Sequence, residues 1–225
     1  MAPRGLLLAA ALAFAGAACT APAAAESIVA APAAKRQSAE SAGLKTAIFA
    51  GGCFWGVEAV FSHMKGVTSA VSGYHGGAAR SAKYELVSSG VTDHAEAVRV
   101  TYDPNIVRYD ELLRVFFSVI ADPTLKNRQG PDVGAHYRTA LVPVSAEQNA
   151  VARAYLDQLA AAGLWKRPIV TRIERAQAFY PAEAYHQDFA LKNPSHGYIK
   201  RWDAPKVAAL KRMYPAHYSA SFRRN

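Results

Sequence analysis

TAIFAGGCFWG, residues 46–56, is the stretch of this 225-residue sequence that decides the fold. Its first five residues are apolar or β-forming, which predicts a strand over residues 46–50. After the glycines, apolar side chains recur at helical spacing, at Phe54, Val57, Phe61 and Met64. The chain is therefore predicted to leave a strand, turn on two glycines and begin a helix at Cys53.

Cys53 lies at the predicted start of that helix, where backbone N–H groups lack helical partners and the helix dipole is positive. Both effects favour a thiolate, so we predict a cysteine that is more nucleophilic than a free one. A lone cysteine is more often a small buried hydrophobe. The glycines on both sides of it instead indicate that the backbone closely approaches some other group. The adjacent Phe54 and Trp55 suit a small apolar group attached to an electrophile.

Beyond this stretch, strand-like and helix-like segments follow one another without a strict βαβ repeat. Alternating or short apolar runs predict strands over residues 70–74, 97–102, 137–144 and 169–173. Helical periodicity, with a capping box at Ser145 and a stop at Gly163, predicts helices over residues 109–120, 145–163, 181–191 and 205–213. Residues 122–134 are rich in Pro, Gly, Asn and Asp, which predicts a long functional loop. The mixture predicts an α+β fold.

The segment before the strand is predicted to lie outside the folded domain. Residues 1–25 combine an early arginine, a short apolar run and small residues, which predicts an export signal peptide. An alternative is lipidation at Cys19, which would anchor the protein to a membrane. Residues 26–45 are rich in Ala, Pro and Ser and predict a flexible linker. The folded domain is then expected over residues 46–215, and a basic tail over 216–225.

Composition argues against several classes of function. The formal net charge is +9, but the basic residues are scattered apart from short pairs, so they indicate a solvated surface and not a nucleic-acid interface. The seven histidines lack the spacing of metal ligands, so no metal site is predicted. Of the two cysteines, Cys53 alone would remain after removal of the leader, which excludes an internal disulfide.

The segment Gly52-Cys53-Phe54-Trp55-Gly56 resembles the signature of the peptide methionine sulfoxide reductase A family. Further motifs of that family follow in the same order and cover about the whole of residues 46–215. They are Gly73-Tyr74, Gly76-Gly77, Tyr84, His94-Ala95-Glu96, Arg99-Val100, Tyr102-Asp103-Pro104, Asp122-Pro123-Thr124, Asn127 to Gly134, Tyr137-Arg138, Phe179 to Glu183, His186-Gln187 and Pro205-Lys206-Val207.

This resemblance implies a two-layer sandwich with a mixed β-sheet and flanking helices, a ferredoxin-like core wrapped by long loops. It also implies thiol-dependent reduction of methionine S-sulfoxide, free or in proteins, to methionine, as a repair of oxidised proteins. In such a reaction a thiolate attacks the sulfoxide sulfur while the oxygen gains a proton. The site therefore needs a nucleophile, a pocket for the methyl group and acids near the oxygen.

The resemblance implies roles for particular residues. Cys53 is the expected nucleophile and Glu96 the expected acid, whose pKa should rise through burial beside aromatic rings. The two aromatic residues after the cysteine are expected to form the methyl pocket, and two tyrosines to donate hydrogen bonds to the oxygen. Asp132 equally suits a role in fixing its own turn. The full set expected to bind the substrate is Phe54, Trp55, Tyr84, Asp132 and Tyr137.

Attack on the sulfoxide leaves Cys53 as a sulfenic acid, and its recovery requires a thiol. Many relatives carry resolving cysteines near the C-terminus, but no cysteine follows Cys53 in this sequence. No bound cofactor is expected, and the reductant should be an external thioredoxin-like protein or a small thiol such as glutathione. The protein is expected to act as a monomer in the periplasm on oxidised proteins, and at a membrane only if lipidated. Three residues depart from the family pattern, namely Ala121, His136 and Phe189.

Two other functions fit part of the sequence. Cys53 with a histidine base, His94 or His186, would suit a cysteine hydrolase or transferase, although no known hydrolase motif is present. A basic binding module without catalysis is the third interpretation. Only the reductase predicts thiol-consuming loss of one oxygen from the substrate.

Replacing Cys53 with Ser is expected to abolish methionine sulfoxide reduction while the fold persists, because a hydroxyl of high pKa is a far weaker nucleophile than a thiolate. The measurement is turnover of a methionine sulfoxide peptide with dithiothreitol, with thermal unfolding as the control for folding. Activity above a trace in a folded Cys53→Ser protein would remove this residue from the mechanism.

Overall fold

The structure, a computed structural model, describes residues 28–224. The export signal predicted over residues 1–25, with the alternative lipidation site at Cys19, lies outside the described residues. None of the helices within residues 28–224 combines the length and the apolar character that a membrane span requires.

The strands form one mixed sheet and one short ribbon. Their bounds are β1 Lys45–Gly51, β2 Val67–His75, β3 Ala95–Tyr102, β4 Arg128–Gln129, β5 Asp132–Val133, β6 Thr139–Val142, β7 Arg172–Ile173 and β8 Phe179–Pro181. The sheet has the order β7-β6-β1-β3-β2-β8, while β4 and β5 pair separately. β6 and β7 run parallel, and the other neighbouring strands of the sheet run antiparallel.

The helices are mostly short, and two of them adjoin π-helical turns, at residues 116–120 and 199–203. Their bounds are α1 Phe54–Ser62, α2 Tyr84–Ser88, α3 Tyr109–Val115, α4 Ala146–Ala162, α5 Phe189–Lys192 and α6 Ala204–Met213. The succession β1-α1-β2-β3-α3-β6, with these four strands adjacent in the sheet, is the ferredoxin-like pattern. The predicted α+β fold with a mixed sheet is confirmed.

The two faces of the sheet differ in what they bury, because successive side chains of a strand point to opposite faces. Phe49 belongs to the main core, where its ring lies 4.8 Å from that of Phe61 in α1 and 5.3 Å from that of Phe116. Small side chains such as Ala97 and Ala140 line the opposite face, with Phe179 packed against them. Helices therefore form the second layer on the face that presents Phe49.

The turn between β1 and α1 requires both of its glycines. A Cβ on Gly51 would stand 2.7 Å from Cε2 of Phe116, which leaves no room for a side chain. Gly52 has φ +86°, and a Cβ there would stand 2.5 Å from Cβ of Gln129. Close packing on both sides thus fixes the path by which the chain reaches Cys53. The strand, the turn and the helix predicted from this stretch are confirmed.

The helix predicted over residues 181–191 is wrong. β8 ends at Pro181, the chain then turns, and helical structure is limited to α5. Asp188 interrupts the helix because its φ of +54° lies in the left-handed region. The side chain of Glu183 accepts hydrogen bonds from the Tyr84 N–H and the Tyr74 hydroxyl, which joins this segment to α2 and β2.

The strand predicted over residues 169–173 is shorter than expected. Only β7 pairs with the sheet, because the Val170 N–H donates instead to the carbonyl of Pro123, at 2.8 Å. The strand predicted over residues 137–144 is likewise shortened at both ends to β6. The first segment turns away to bind the loop that the sequence predicts over residues 122–134, whereas the second begins in the 3₁₀ turn Ala135–Tyr137 and ends where the Val144 N–H donates to the Gln148 side chain.

The flexible linker predicted over residues 26–45 is wrong for its described part. Residues 28–44 have almost no regular secondary structure, yet they pack against α3 and α4. Ala31 is only 1% exposed, and the Ser38 N–H donates to Oδ1 of Asp110 at 2.8 Å. The small side chains that indicate a linker by composition also allow the backbone to lie close against the helices.

The N-terminal cap of α4 follows the predicted capping box in part. Oγ of Ser145 accepts from the Gln148 N–H at 3.1 Å, as expected. The Gln148 side chain, however, accepts from the Val144 N–H and donates to the carboxylate of Glu40. It therefore joins the helix start to the arm of residues 28–44. Gly163 ends the helix with φ +62°, as the sequence predicts.

Replacing Asp110 with Ala is expected to lower the free energy of unfolding by about 2 kcal/mol, because the buried Ser38 N–H and the Arg108 guanidinium lose a charged acceptor. Denaturant unfolding measures the change. The matched control is Glu147→Ala, since Glu147 accepts from the Ala39 N–H at a more exposed position and should contribute less. An Asp110→Ala protein as stable as the wild type would contradict the docking of this arm.

Candidate active site

Cys53 caps the N-terminus of α1, with φ −54° and ψ 123°. Burial raises the pKa of its thiol well above the ordinary value, and the charges of Glu96, Asp203 and Asp132 raise it further. The Trp55 N–H donates to the sulfur and lowers the pKa, but it does not outweigh these effects. The thiolate predicted from the helix start is therefore wrong for the substrate-free protein, which holds Cys53 as a thiol.

Glu96 lies inside β3, opposite Tyr74 of β2, and is only 1% exposed. Its Oε2 accepts a hydrogen bond from the Phe54 N–H at 3.0 Å, which joins the sheet to the first residue of α1. Burial raises the pKa of Glu96 to about 8, and the charge of Asp132 contributes, while the Phe54 N–H lowers it. At neutral pH this carboxyl is mainly protonated, which is the direction expected from the sequence.

Two tyrosines surround this pair from different parts of the chain. Tyr84 begins α2, and Tyr137 ends a short 3₁₀ turn before β6. Burial raises the pKa of both phenols, and the charges of Glu96 and Cys53 raise it further. This shared influence shows that both hydroxyls lie near the cysteine and the carboxyl. Both phenols stay protonated and are available as hydrogen-bond donors.

Asp132 lies in β5 and accepts a short hydrogen bond from the hydroxyl of Tyr198. Burial raises the pKa of Asp132, although the Tyr198 hydroxyl and the nearby charge of Lys206 lower it. The charge of Cys53 affects the pKa of Tyr198, so this phenol also belongs to the site. Sequence reasoning missed Tyr198, because a single tyrosine outside the family motifs carries no signal of its own.

Trp55 is held in an aromatic wall, which we define as Phe54, Trp55, His186 and Phe189. The Trp55 indole stacks on the Phe189 ring, with centroids 3.7 Å apart and 7° between the planes. Its Nε1–H donates to Nδ1 of His186 at 3.1 Å. Phe54 is buried, and its ring lies 4.9 Å from that of His186.

Two members of the aromatic wall were not predicted as site residues. From the sequence, His186 is a candidate base and Phe189 a departure from the family pattern. Because Nδ1 of His186 accepts the indole N–H, the neutral ring carries its proton on Nε2. Burial lowers the pKa of this histidine, which keeps it neutral. Its role in the structure is to hold Trp55 in place.

The hydrolase interpretation finds no support in the placement of the histidines. His94 uses both ring nitrogens on the backbone, at Gly77 N and at the carbonyl of Ala78. His186 is engaged with the Trp55 indole. Within residues 28–224, moreover, no cluster of three or more His, Cys, Asp or Glu side chains is arranged to hold a metal ion.

The fold and this site together define a class of protein. A cysteine at a helix start lies beside a protonated carboxyl, phenol donors and an apolar aromatic wall. Such a site suits nucleophilic attack by sulfur on a small polarised group whose oxygen must be protonated, as in thiol-dependent oxidoreductases.

Comparison with known proteins agrees with this class. A family profile described as peptide methionine sulfoxide reductase matches residues 45–218. Peptide methionine sulfoxide reductase MsrA 2 of Mesorhizobium japonicum is 55% identical over 177 residues, which are 79% of this chain and 91% of that protein. The MsrA protein of Deinococcus radiodurans is 51% identical over 168 residues, which are 75% of this chain and 81% of that protein.

Solved structures give the same result for the fold. Reduced Mxr1 from Saccharomyces cerevisiae superposes with a TM-score of 0.61 at 33% identity, over 72% of this chain and 92% of that one. Methionine sulfoxide reductase A of Corynebacterium diphtheriae superposes with a TM-score of 0.58 at 35% identity, over 68% of this chain and 77% of that one. The chain belongs to the peptide methionine sulfoxide reductase family, and it is an oxidoreductase that reduces methionine sulfoxide.

Alkylation of Cys53 by iodoacetamide in the substrate-free protein is expected to have its pH midpoint above that of a free cysteine, about 8.5. Glu96→Gln should move this midpoint to lower pH, because the charge that Glu96 acquires at high pH raises the pKa of the thiol. Mass spectrometry of alkylation rates across pH measures both midpoints.

The control for this experiment is Glu147→Gln, at a remote and exposed carboxyl, which should leave the midpoint unchanged. A midpoint below that of free cysteine, or one that Glu96→Gln does not move, would show that the carboxyls do not govern the thiol.

Proposed function

We propose that Cys53 and Glu96 together reduce methionine S-sulfoxide, free or in proteins, to methionine. The observation that carries this assignment is the hydrogen bond from the Phe54 N–H to Glu96, which brings a protonated acid to the residue next to the nucleophile. A sulfoxide offers sulfur to the thiol and oxygen to the acid. The function is a repair of oxidised proteins.

The proposed reaction balances with one thiol and one sulfoxide. The Cys53 sulfur attacks the sulfoxide sulfur while Glu96 donates its proton to the oxygen. The Cys53 sulfur then forms a bond to this oxygen while the S–O bond of the substrate and the transient bond between the two sulfurs break, so methionine leaves and Cys53 becomes a sulfenic acid. The proton of the thiol returns to Glu96. Cysteine sulfur is oxidised and substrate sulfur is reduced by the same two electrons.

Tyr84 and Tyr137 are proposed to donate hydrogen bonds to the sulfoxide oxygen alongside Glu96. Their raised phenol pKa values keep both protonated, so both remain donors throughout the working pH range. Donors that are already oriented stabilise the charge that develops on oxygen as the sulfur is attacked. The proposed preference for the S epimer follows from this arrangement, because the sulfoxide oxygen binds to the hydrogen-bond donors while the methyl group binds to the apolar rings.

The aromatic wall is proposed to bind the methyl group of the substrate. Phe54 and Trp55 lie directly beside the nucleophile, and the stacking on Phe189 keeps the indole in one orientation. Asp132 and Tyr198 close this part of the site through their hydrogen bond. An apolar pocket of this kind favours a methyl thioether over a charged or polar group.

The second half of the cycle is proposed to use a thiol from another molecule. Cys53 is the free cysteine of the described residues, and the sequence contains no cysteine after it. The sulfenic acid therefore needs two external thiols, which leave as a disulfide while its oxygen leaves as water. A thioredoxin-like protein or a small thiol supplies these electrons.

Export of the protein to the periplasm is proposed from its leader alone. Residues 1–25 have the composition of a signal peptide, and Cys19 offers the alternative of a lipid anchor. In that compartment the thiol would come from a reductant delivered across the membrane, because the glutathione and thioredoxin pools are cytosolic.

Single turnover without external thiol is expected to yield one methionine per protein molecule, because the protein holds one redox thiol. The experiment uses protein without residues 1–25 and the separated sulfoxide epimers, and mass spectrometry reads the state of Cys53. The S epimer should give a sulfenic acid that reacts with a sulfenic-acid probe, and addition of glutathione should give a mixed disulfide.

Two outcomes would contradict these assignments. Two methionines per protein molecule, or an intramolecular disulfide, would mean that a second thiol takes part. Equal turnover of both epimers would mean that the site does not separate methyl group from oxygen. The Cys53→Ser protein is the control, since it should release no methionine and bind no probe.

A further inference from the structure

Glu58 is a buried acid for which the reaction has no use. It lies on α1, three residues after Trp55, and is only 1% exposed. Burying a carboxyl is costly unless it is hydrogen-bonded. Both of its oxygens lie near one backbone donor, the Asp188 N–H, with Oε1 at 3.2 Å and Oε2 at 3.1 Å. The Ser72 hydroxyl of β2 and the Lys192 charge also act on this carboxyl and lower its pKa, so Glu58 joins the segment that contains Asp188 to α1 beside the sheet.

Asp188 has an uncommon backbone conformation. Its φ of +54° and ψ of 30° are left-handed, and Asn127 is the other non-glycine residue with a positive φ among residues 28–224. This conformation is uncommon for a residue with a Cβ, although aspartate tolerates it better than most, and contacts to the backbone of such a residue help to keep it there. The Glu58 carboxyl provides such a hold, since it binds the N–H of the strained residue itself.

The conformation of Asp188 determines where its neighbours in the aromatic wall, His186 and Phe189, lie relative to the Trp55 indole. Phe189, the next residue, stacks on Trp55 at 3.7 Å, and His186, two residues earlier, accepts the indole N–H. The stacking contact and the hydrogen bond of the indole thus come from one short turn that contains the left-handed residue, while His196 and Tyr198 pack edge-on against the same indole. We propose that Glu58 is a positioning residue, which holds this turn so that Phe189 and His186 fix the Trp55 face of the methyl pocket.

The protonation state of Glu58 indicates which substitution should preserve its hydrogen bond with the Asp188 N–H. Burial raises the pKa of Glu58 to about 8, and the Asp188 charge contributes, while the Asp188 N–H lowers it. The acid is therefore mainly uncharged at neutral pH, and glutamine of the same shape retains a carbonyl acceptor. Leucine fills similar space but offers the Asp188 N–H no partner.

The test is discrimination between methionine sulfoxide and ethionine sulfoxide, which differ by one methylene at the pocket. Wild-type protein is expected to favour the methyl substrate by about tenfold in kcat/KM. Glu58→Leu should reduce this preference to about twofold by loosening the wall, mainly through KM. Glu58→Gln should keep the wild-type ratio. Should Glu58→Leu fail to fold, Glu58→Asp withdraws the carboxyl by one methylene and should also narrow the ratio.

A second arm asks whether Glu58 acts through Phe189. Phe189→Leu should narrow the ratio by itself, and Glu58→Leu should have a smaller effect in that background than in the wild type, because the stacking support is already lost and only the His186 support remains to be loosened. Multiplying effects in the double variant would mean that Glu58 acts independently, which would overturn the proposal.

The matched control is Asp110→Asn. Like Glu58, Asp110 is a buried acid that accepts a hydrogen bond from a distant backbone N–H, in its case that of Ser38. It should lower thermal stability without moving the ratio. A shift in the ratio equal to that of Glu58→Leu would show a general effect of instability and overturn the proposal. A folded Glu58→Leu protein with the wild-type ratio would do the same.

This inference rests on the proposed role of Trp55 in the methyl pocket, and Trp55→Ala separates the two. If Trp55→Ala narrows the ratio while Glu58→Leu does not, the pocket assignment stands and the role of Glu58 is wrong. If Trp55→Ala leaves the ratio unchanged, the pocket assignment is wrong and the role of Glu58 fails with it.

Discussion

The hydrogen bond from the Phe54 N–H to the Glu96 carboxyl is the contact on which the site depends. It connects the first residue of α1 to the middle of the sheet, so that nucleophile and acid occupy neighbouring positions. The helix can start at this point because Gly51 and Gly52 leave room for Phe116 and Gln129. An N–H that would otherwise lack a helical partner thereby binds the acid of the reaction.

In the substrate-free site, burial affects the protonation states of Cys53 and Glu96 more than the helix dipole does. The Trp55 N–H at the helix start does favour a thiolate, but burial and three acidic neighbours favour the thiol. Burial also keeps Glu96 mainly protonated. The resting site therefore holds both protons, and in the proposed mechanism the nucleophile is activated when a substrate accepts the proton of Glu96. A thiol of raised pKa is expected to react more slowly with oxidants and alkylating agents than a thiolate would.

Contacts to two carboxyl groups take the place of regular secondary structure in the segment that follows β8. Glu183 binds the Tyr84 N–H and the Tyr74 hydroxyl, and Glu58 binds the Asp188 N–H. These contacts hold a turn that a continuous helix would otherwise straighten.

The sequence by itself determined the strand, glycine turn and helix around Cys53, because that signal is local: the glycines and the thiol lie within eleven residues, and the helical periodicity follows directly as far as Met64. It also indicated the family, through motifs kept in one order. Only the tertiary structure decided the thiol state of Cys53, the partner of Glu58 and the place of Tyr198. These depend on burial and on contacts between residues far apart in the chain, such as the pair Asp132 and Tyr198, 66 positions apart. Composition likewise indicated a linker where Ala31 is buried, since small residues suit both a free chain and close packing on a helix.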